Sequence, residues 1–174
     1  MYPTTGINKL LYSDLSYKII KIAFIIRNTY GPGHKETIYQ RLFRENLKKD
    51  GINFEKEKRI EFYSSEGHLI GRYQPDFVVE DKIIVEIKAK KFLSKIDEEQ
   101  LYYYLRNSKY EVGFLINFST PKIYIKRIIY TNDHKPFLKD TDHTDVNTDN
   151  TDHTDANTDN TDDTDNRRSE YGPV

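Results

Sequence analysis

Asp76, Glu86 and Lys88 are the residues best placed to do chemistry. Residues 74–90 read QPDFVVEDKIIVEIKAK, so Pro75-Asp76 is followed after nine residues by Glu86-Ile87-Lys88. Two apolar runs, 77–79 and 83–85, flank the polar triplet Glu80-Asp81-Lys82, the pattern of a β-hairpin. If the chain closes through 80–82, Val79 pairs with Ile83, Phe77 with Val85, and Asp76 comes opposite Glu86. Side chains alternate along a strand, so Glu86 and Lys88 share one face and Ile87 takes the other. Directly opposed like charges destabilise a sheet, and a divalent cation removes that penalty. Hard Mg²⁺ is commonly held by one or two carboxylates, with water and substrate phosphate completing the shell. A lysine beside it suits a phosphate or an attacking water. The set fits metal-assisted phosphodiester hydrolysis. It equally fits a solvated hairpin whose Lys88 neutralises two acids, and spacing alone does not separate the two.

The elements that must position these groups follow from periodicity. Leu15, Ile19, Ile22, Ala23 and Ile26 form a helical stripe, predicting a helix from Ser13 or Asp14, as its cap, to about Asn28. Gly31-Pro32-Gly33 breaks the chain. A second helix is expected over 34–49, stopped by Asp50-Gly51. Glu36 lies in its first turn, where an acid ordinarily serves the helix dipole. Strands are expected over 57–63 and 69–73, with a continuation or break at Pro75, since proline belongs at edges, strand starts or bulges. A helix follows from Ser94 or Ile96 to Ser108, with Gln100 and Tyr104 as an i, i+4 pair. Residues 112–118 (VGFLINF) read as a strand buried on both faces, and 123–130 as a last strand.

The 174 residues allow one domain plus extensions. The chain has no cysteine, which excludes disulfides and thiolate metal sites. Its first residues lack a signal-peptide layout, and no apolar run is long enough for a bilayer. A cytoplasmic, non-membrane protein is expected. The formal charge of −1 hides a split. Residues 1–139 carry 25 Lys/Arg and 17 Asp/Glu, a net of +8, while 140–174 carry 2 and 11, a net of −9. A basic body hints at a polyanionic partner. In the tail, TDHTDVNTDN at 141–150 recurs as TDHTDANTDN at 151–160, with almost nothing apolar to bury, so disorder is expected there. The expected layout is a lead-in over 1–12, a domain over 13–139 and the Thr/Asp tail over 140–174. No heptad pattern signals an oligomer, and the oligomeric state is left open.

Four motifs then stand in order: Gly33-His-Lys-Glu36-Thr-Ile-Tyr39 as GxxExxY, Pro75-Asp76 with Glu86-Ile-Lys88, Gln100-Leu-Tyr-Tyr-Tyr104 as QxxxY, and the closing segments Gly113 to Phe118 and Lys126-Arg127-Ile128. Over about residues 10–130 the chain resembles the GxxExxY family of the PD-(D/E)XK nuclease superfamily. The resemblance implies an α/β, restriction-endonuclease-like core: a mixed sheet of about five strands flanked by helices. It also implies a metal-dependent nuclease acting on DNA, with RNA left open, and a leaning toward ends or single strands. Asp76, Glu86 and the backbone carbonyl of Ile87 would hold Mg²⁺ or Mn²⁺, and Glu36 would complete or extend that set. Lys88 would position the attacking water and stabilise the transition state, while Gln100 and Tyr104 would orient catalytic groups or contact phosphate. Two family histidines are absent, with Arg27-Asn28 and Asp97 in their regions. The rival reading is a non-catalytic nucleic-acid-binding or protein-interaction module on the same fold.

The charge split suits the tail to contact its own basic body, or a basic partner. If it competes with DNA for the body, residues 1–139 should bind DNA more tightly than the full chain at low salt. The difference should vanish at high salt, where the charges are screened. Titration of both forms checks this; equal low-salt affinities would rule the competition out.

Overall fold

A computed structural model describes residues 10–64 and 66–139. All lie in one of the two units into which the chain divides, Met1–Asp142. The expectations for 1–9 and for the repeat tail lie outside the described residues.

Helix α1 spans Ser13–Tyr30 and α2 spans Glu36–Lys49. The N-cap of α1 is Tyr12, with left-handed backbone (φ 54) and no side-chain cap, so neither Ser13 nor Asp14 caps it. The α2 C-terminus follows the sequence signal. Gly51 has φ +65, Gly51 N–H bonds Lys48 C=O at 3.1 Å, and Ile52 N–H bonds Leu47 C=O at 3.0 Å, a Schellman closure.

The strand expected over 57–63 is confined to Ile60–Tyr63, and a strand that the pattern did not predict, Phe54–Lys56, precedes it in a different sheet. β1 (Phe54–Lys56) pairs with β4 (Phe77–Val79), while β2 (Ile60–Tyr63) pairs with β3 (Leu69–Tyr73) as a separate ribbon. The division falls at Glu57, whose φ of 52 lies in the left-handed region and turns the chain out of the main sheet. The chain does break at Pro75, since β3 ends at Tyr73 and β4 begins at Phe77.

β4 pairs antiparallel with β5 (Ile83–Lys88) through Val79↔Ile83, Val78↔Ile84 and Phe77↔Val85, the register that the polar triplet implies. Glu80 and Asp81 both have positive φ (52 and 48), as a primed hairpin turn requires. β5 then pairs in parallel with β6 (Val112–Asn117), and β6 pairs antiparallel with β7 (Tyr124–Ile129), giving a mixed five-stranded sheet of order β1-β4-β5-β6-β7. The β5–β6 crossover is α3, Lys95–Arg106. A 3-10 turn (Asn132–His134) and the short α4 (Pro136–Lys139) close the described chain.

Strand alternation divides the core into two layers. Phe77, Val79, Ile83, Val85 and Ile87 pack with Ile19, Ile22 and Ile26 of α1 and Phe43 and Leu47 of α2. Val78, Ile84 and Leu115 pack with Leu101, Tyr104 and Leu105 of α3. Glu86 and Lys88 are in phase with Ile84, so they belong to the α3 side, at the end where β4 has stopped. Gly113 lets α3 approach β6: a Cβ there would meet Leu101 Cδ1 at 2.7 Å and Cγ at 3.0 Å. Leu101 is fully buried and cannot swing aside. Gly113→Ala should therefore destabilise the protein by about 1–3 kcal/mol, the usual cost of overpacking, as read from urea unfolding.

Candidate active site

The paired ladder ends at Phe77↔Val85, one step short of the acids. Asp76 is therefore not held opposite Glu86 by strand pairing. It sits in the bend after Pro75 and reaches across with its side chain. Its Oδ2 accepts Ile87 N–H at 2.7 Å, and its Oδ1 accepts Gln40 Nε2 of α2 at 2.8 Å. Glu86, 3 % exposed, has Oε2 at 3.4 Å from Lys88 Nζ, while its Oε1 is buried with no hydrogen-bond partner among the described residues. Asp76, Glu86 and Lys88 thus gather where β5 outruns β4.

The other expected residues approach from the helices. Glu36, the first residue of α2, accepts Ala89 N–H on Oε2 at 3.2 Å, just past Lys88. Gln100 and Tyr104 of α3 hydrogen-bond each other, and neither bonds the carboxylates or Lys88. The Tyr104 ring packs on Tyr73 of β3 with centroids 4.4 Å apart. Tyr39 of the GxxExxY stretch is buried structure: its hydroxyl donates to Gly31 C=O at 2.8 Å and its ring stacks on Phe118. That stacking fixes the loop that starts α2 and hence places Glu36.

Two residues at the site were missed from the sequence. Gln40 anchors Asp76; its signal is the i, i+4 spacing from Glu36 on one helical face. Asn117, fully buried at the end of β6, accepts Lys90 N–H at 3.0 Å and donates to Lys90 C=O at 2.8 Å, pinning the segment after Lys88. No local signal marks it, because its role depends on the parallel β5–β6 register. Arg27 and Asp97, at the positions where the GxxExxY resemblance leads one to expect histidine, are also structural. Arg27 donates to the carbonyls of Phe118, Thr120 and Pro121 at 2.5, 2.8 and 2.8 Å. Asp97 closes the Ser94 capping box of α3 and pairs with Lys90 at 2.5 Å.

The electrostatics among these side chains are unfavourable. Burial, opposed by the Ile87 N–H bond and by Lys88, leaves the Asp76 carboxyl above the usual carboxylate range. Burial and the Asp76 charge push Glu86 up as well. Lys88 loses hydration by burial, but Glu86, Glu36 and Asp76 together hold its ammonium charged more firmly than usual.

No group of three or more His, Cys, Asp or Glu side chains is set to hold a metal ion among the described residues. The donors present are Asp76, Glu86 and the Ile87 carbonyl. That carbonyl lies on the same strand edge as the Ile87 N–H bonded to Asp76. This set fits a hard divalent cation, which uses one or two carboxylates, and the orphaned Glu86 Oε1 is the oxygen such an ion would satisfy.

A family model described as the PD-(D/E)XK nuclease superfamily matches residues 13–128. No curated protein matches the sequence. Two solved structures are similar. A crystal structure of SSO0001 has TM-score 0.44 and 23 % identity, covering 69 % of this chain and 63 % of its own. An alkaline exonuclease (LHK-Exo) from Laribacter hongkongensis has TM-score 0.40 and 12 % identity, covering 77 % and 76 %. The alignment with SSO0001 therefore spans less than two thirds of that chain.

The raised carboxyls fix a pH dependence. Asp76 and Glu86 hold protons to higher pH folded than unfolded, so their stabilising contribution is complete below the ordinary carboxylate range and is lost as pH rises through the folded values. The metal-free melting temperature should therefore fall from about pH 4, the unperturbed carboxylate range, toward neutrality. Glu86→Gln should flatten that fall. Mg²⁺ at a hundred times its Kd should restore about 2.7 kcal/mol to the wild type and much less to the variant. Thermal melts across pH, with and without Mg²⁺, check all three.

Proposed function

Since the chain belongs to the PD-(D/E)XK nuclease superfamily, we propose that it is a divalent-metal-dependent nuclease hydrolysing phosphodiester bonds of DNA, with a leaning toward ends or single strands. Within the superfamily we assign it to the GxxExxY family, on Gly33, Glu36 and Tyr39. The observation that carries the reading is the convergence of Asp76, Glu86 and Lys88 at the open end of one hairpin, with a buried Glu86 oxygen unpartnered. A solvated hairpin would leave neither carboxylate buried nor an oxygen without a partner, because unpaired buried polar groups cost about 1–3 kcal/mol.

Asp76, Glu86 and the Ile87 carbonyl would hold Mg²⁺ or Mn²⁺. The ion, when bound, supplies Lewis-acid polarisation of the phosphate and acidifies water. Lys88 does the work that belongs to the chain: its ammonium, kept charged by three surrounding acids, orients the attacking water and meets the charge that develops on the phosphate oxygens. Gln40 and the Ile87 N–H hold Asp76 in one orientation, so the carboxylate is set before substrate arrives. Glu36 fixes the backbone at Ala89 and adds negative charge beside the metal set. Gln100 and Tyr104, as a bonded pair on α3, present an amide and a phenol to the substrate phosphate. The preference for ends or single strands rests on the likeness of that pair to QxxxY.

Purified protein incubated with linear, circular, single- and double-stranded DNA and with RNA should cleave DNA in Mg²⁺ or Mn²⁺ and not in EDTA. Lys88→Ala should lower the rate by at least about a hundredfold, the effect of removing one transition-state donor, while still binding metal by calorimetry. Asp76→Ala should lose both cleavage and metal binding. A folded wild type that binds metal and oligonucleotide but cuts nothing would move the protein to the binding-module reading.

A further inference from the structure

Outside the catalytic cluster, Thr37, Gln40, Arg41 and Arg44 of α2 and Lys56 of β1 line a cavity of about 260 Å³. Three of the five side chains are cationic. Neither guanidinium bonds another described residue, and Arg44 Nε is buried without a partner. Among the described residues Lys56 pairs only with the neighbouring Glu57 carboxylate, at 2.6 Å. Arg41 and Arg44 stand at i, i+3, on one helix face. Buried donors left unpaired are costly, and planar guanidinium groups match phosphate oxygens in paired bonds. The volume lies below the about 300–1,000 Å³ of pockets that bury drug-sized ligands, so the occupant is a small anion or anionic group.

The position gives that anion its meaning. Gln40 is at once a wall of the cavity and the donor to Asp76 Oδ1 at 2.8 Å. On the strand side, Glu57, next to Lys56, donates its N–H to Asp76 C=O at 3.2 Å. Both walls are therefore tied to the residue at the reacting centre. We propose that this cavity is a phosphate subsite, holding a non-scissile phosphate of the nucleic-acid strand whose scissile phosphate lies at Asp76, Glu86 and Lys88. The inference rests on the nuclease reading, and it extends the substrate-binding surface across α2 to β1. A strand gripped there is fixed in register relative to the reacting phosphate, without any reading of base sequence. The phosphate is either an internal diester or a terminal monoester; both present the same oxygens to the arginines.

The test is equilibrium binding of the full chain in EDTA, so that cleavage plays no part. Fluorescent single-stranded oligonucleotides carry a 5′-phosphate, a 5′-hydroxyl or a 3′-phosphate, and a further series replaces one linkage at a time with neutral methylphosphonate. Wild type is compared with R41Q/R44Q and, on a different element, with K56Q, each checked for folding by thermal melting. Both variants should bind about tenfold more weakly, and the salt slope should fall by about 0.7 for each phosphate that is no longer neutralised on a single strand. One phosphate position should weaken wild type when neutralised and leave R41Q/R44Q unaffected. If that position is the terminal phosphate, the occupant is a monoester; if it is an internal linkage, a diester. Wild-type affinity and salt slope in both variants would overturn the subsite. So would a weakening of the variants uniform across all neutralised positions, the behaviour of general surface charge, or a wild type that binds no oligonucleotide. The nuclease reading fails separately: a wild type that binds with this pattern yet cuts nothing in Mg²⁺ keeps the subsite and loses the catalysis.

Discussion

The bond from Ile87 N–H to Asp76 Oδ2 holds the candidate site together. A backbone N–H at the growing edge of a sheet needs a partner, and β4 stops too early to supply one. Asp76 takes the place of the missing strand residue. Its carboxylate completes the ladder by one rung and in doing so is brought to the edge where Glu86 and Lys88 emerge. The proline before it turns the chain at that point, and Gln40 grips the second oxygen. The acid is thus fixed by backbone geometry on one side and by α2 on the other, whichever way its own rotamer would otherwise relax.

That placement works against stability. Two carboxyls share a poorly hydrated corner, one with an oxygen that nothing in the described chain satisfies. Lys88 offsets part of the cost, at a long 3.4 Å. The rest of the fold compensates elsewhere: β5 as far as Val85 and β6 as far as Ile116 are apolar on both faces and buried, so the hairpin end is carried by a rigid centre. Buried, perturbed carboxyls concentrated at one end of the best-packed strands set this corner apart from an ordinary surface ion pair.

The residues around this corner separate into those that could touch substrate and those that hold the frame. Tyr39, although it completes the GxxExxY spacing, is a buried strut between the Gly31 carbonyl and the Phe118 ring. Arg27 and Asp97 are each engaged in local scaffolding, with three carbonyls and with a helix cap respectively. Asn117 reproduces on a side chain the pairing that β6 would have offered Lys90 had the strand continued. These frame interactions lock the segments from which Glu36, Lys88 and Gln100 project.

What the sequence determined by itself was everything governed by short-range periodicity. The polar triplet 80–82 between two apolar runs set the hairpin register, and with it the shared face of Glu86 and Lys88. The spacing of Ile19, Ile22 and Ile26 set α1, and Asp50-Gly51 set the end of α2. Tertiary structure decided what depends on distant partners. The expected strand start at Glu57 fails because nothing in the side-chain pattern marks a non-glycine residue for positive φ; only the pairing of β1 with β4 and of β2 with β3 puts the break between Lys56 and Ile60. Asp76 could be placed near Glu86 from spacing, but its true partners, Ile87 N–H and Gln40, needed the early end of β4 and the packing of α2. Asn117 and the cavity between Arg41, Arg44 and Lys56 were invisible for the same reason. Local sequence fixes dihedral preference and facing, whereas juxtaposition across a sheet or between a helix and a strand is set only when the chain closes on itself.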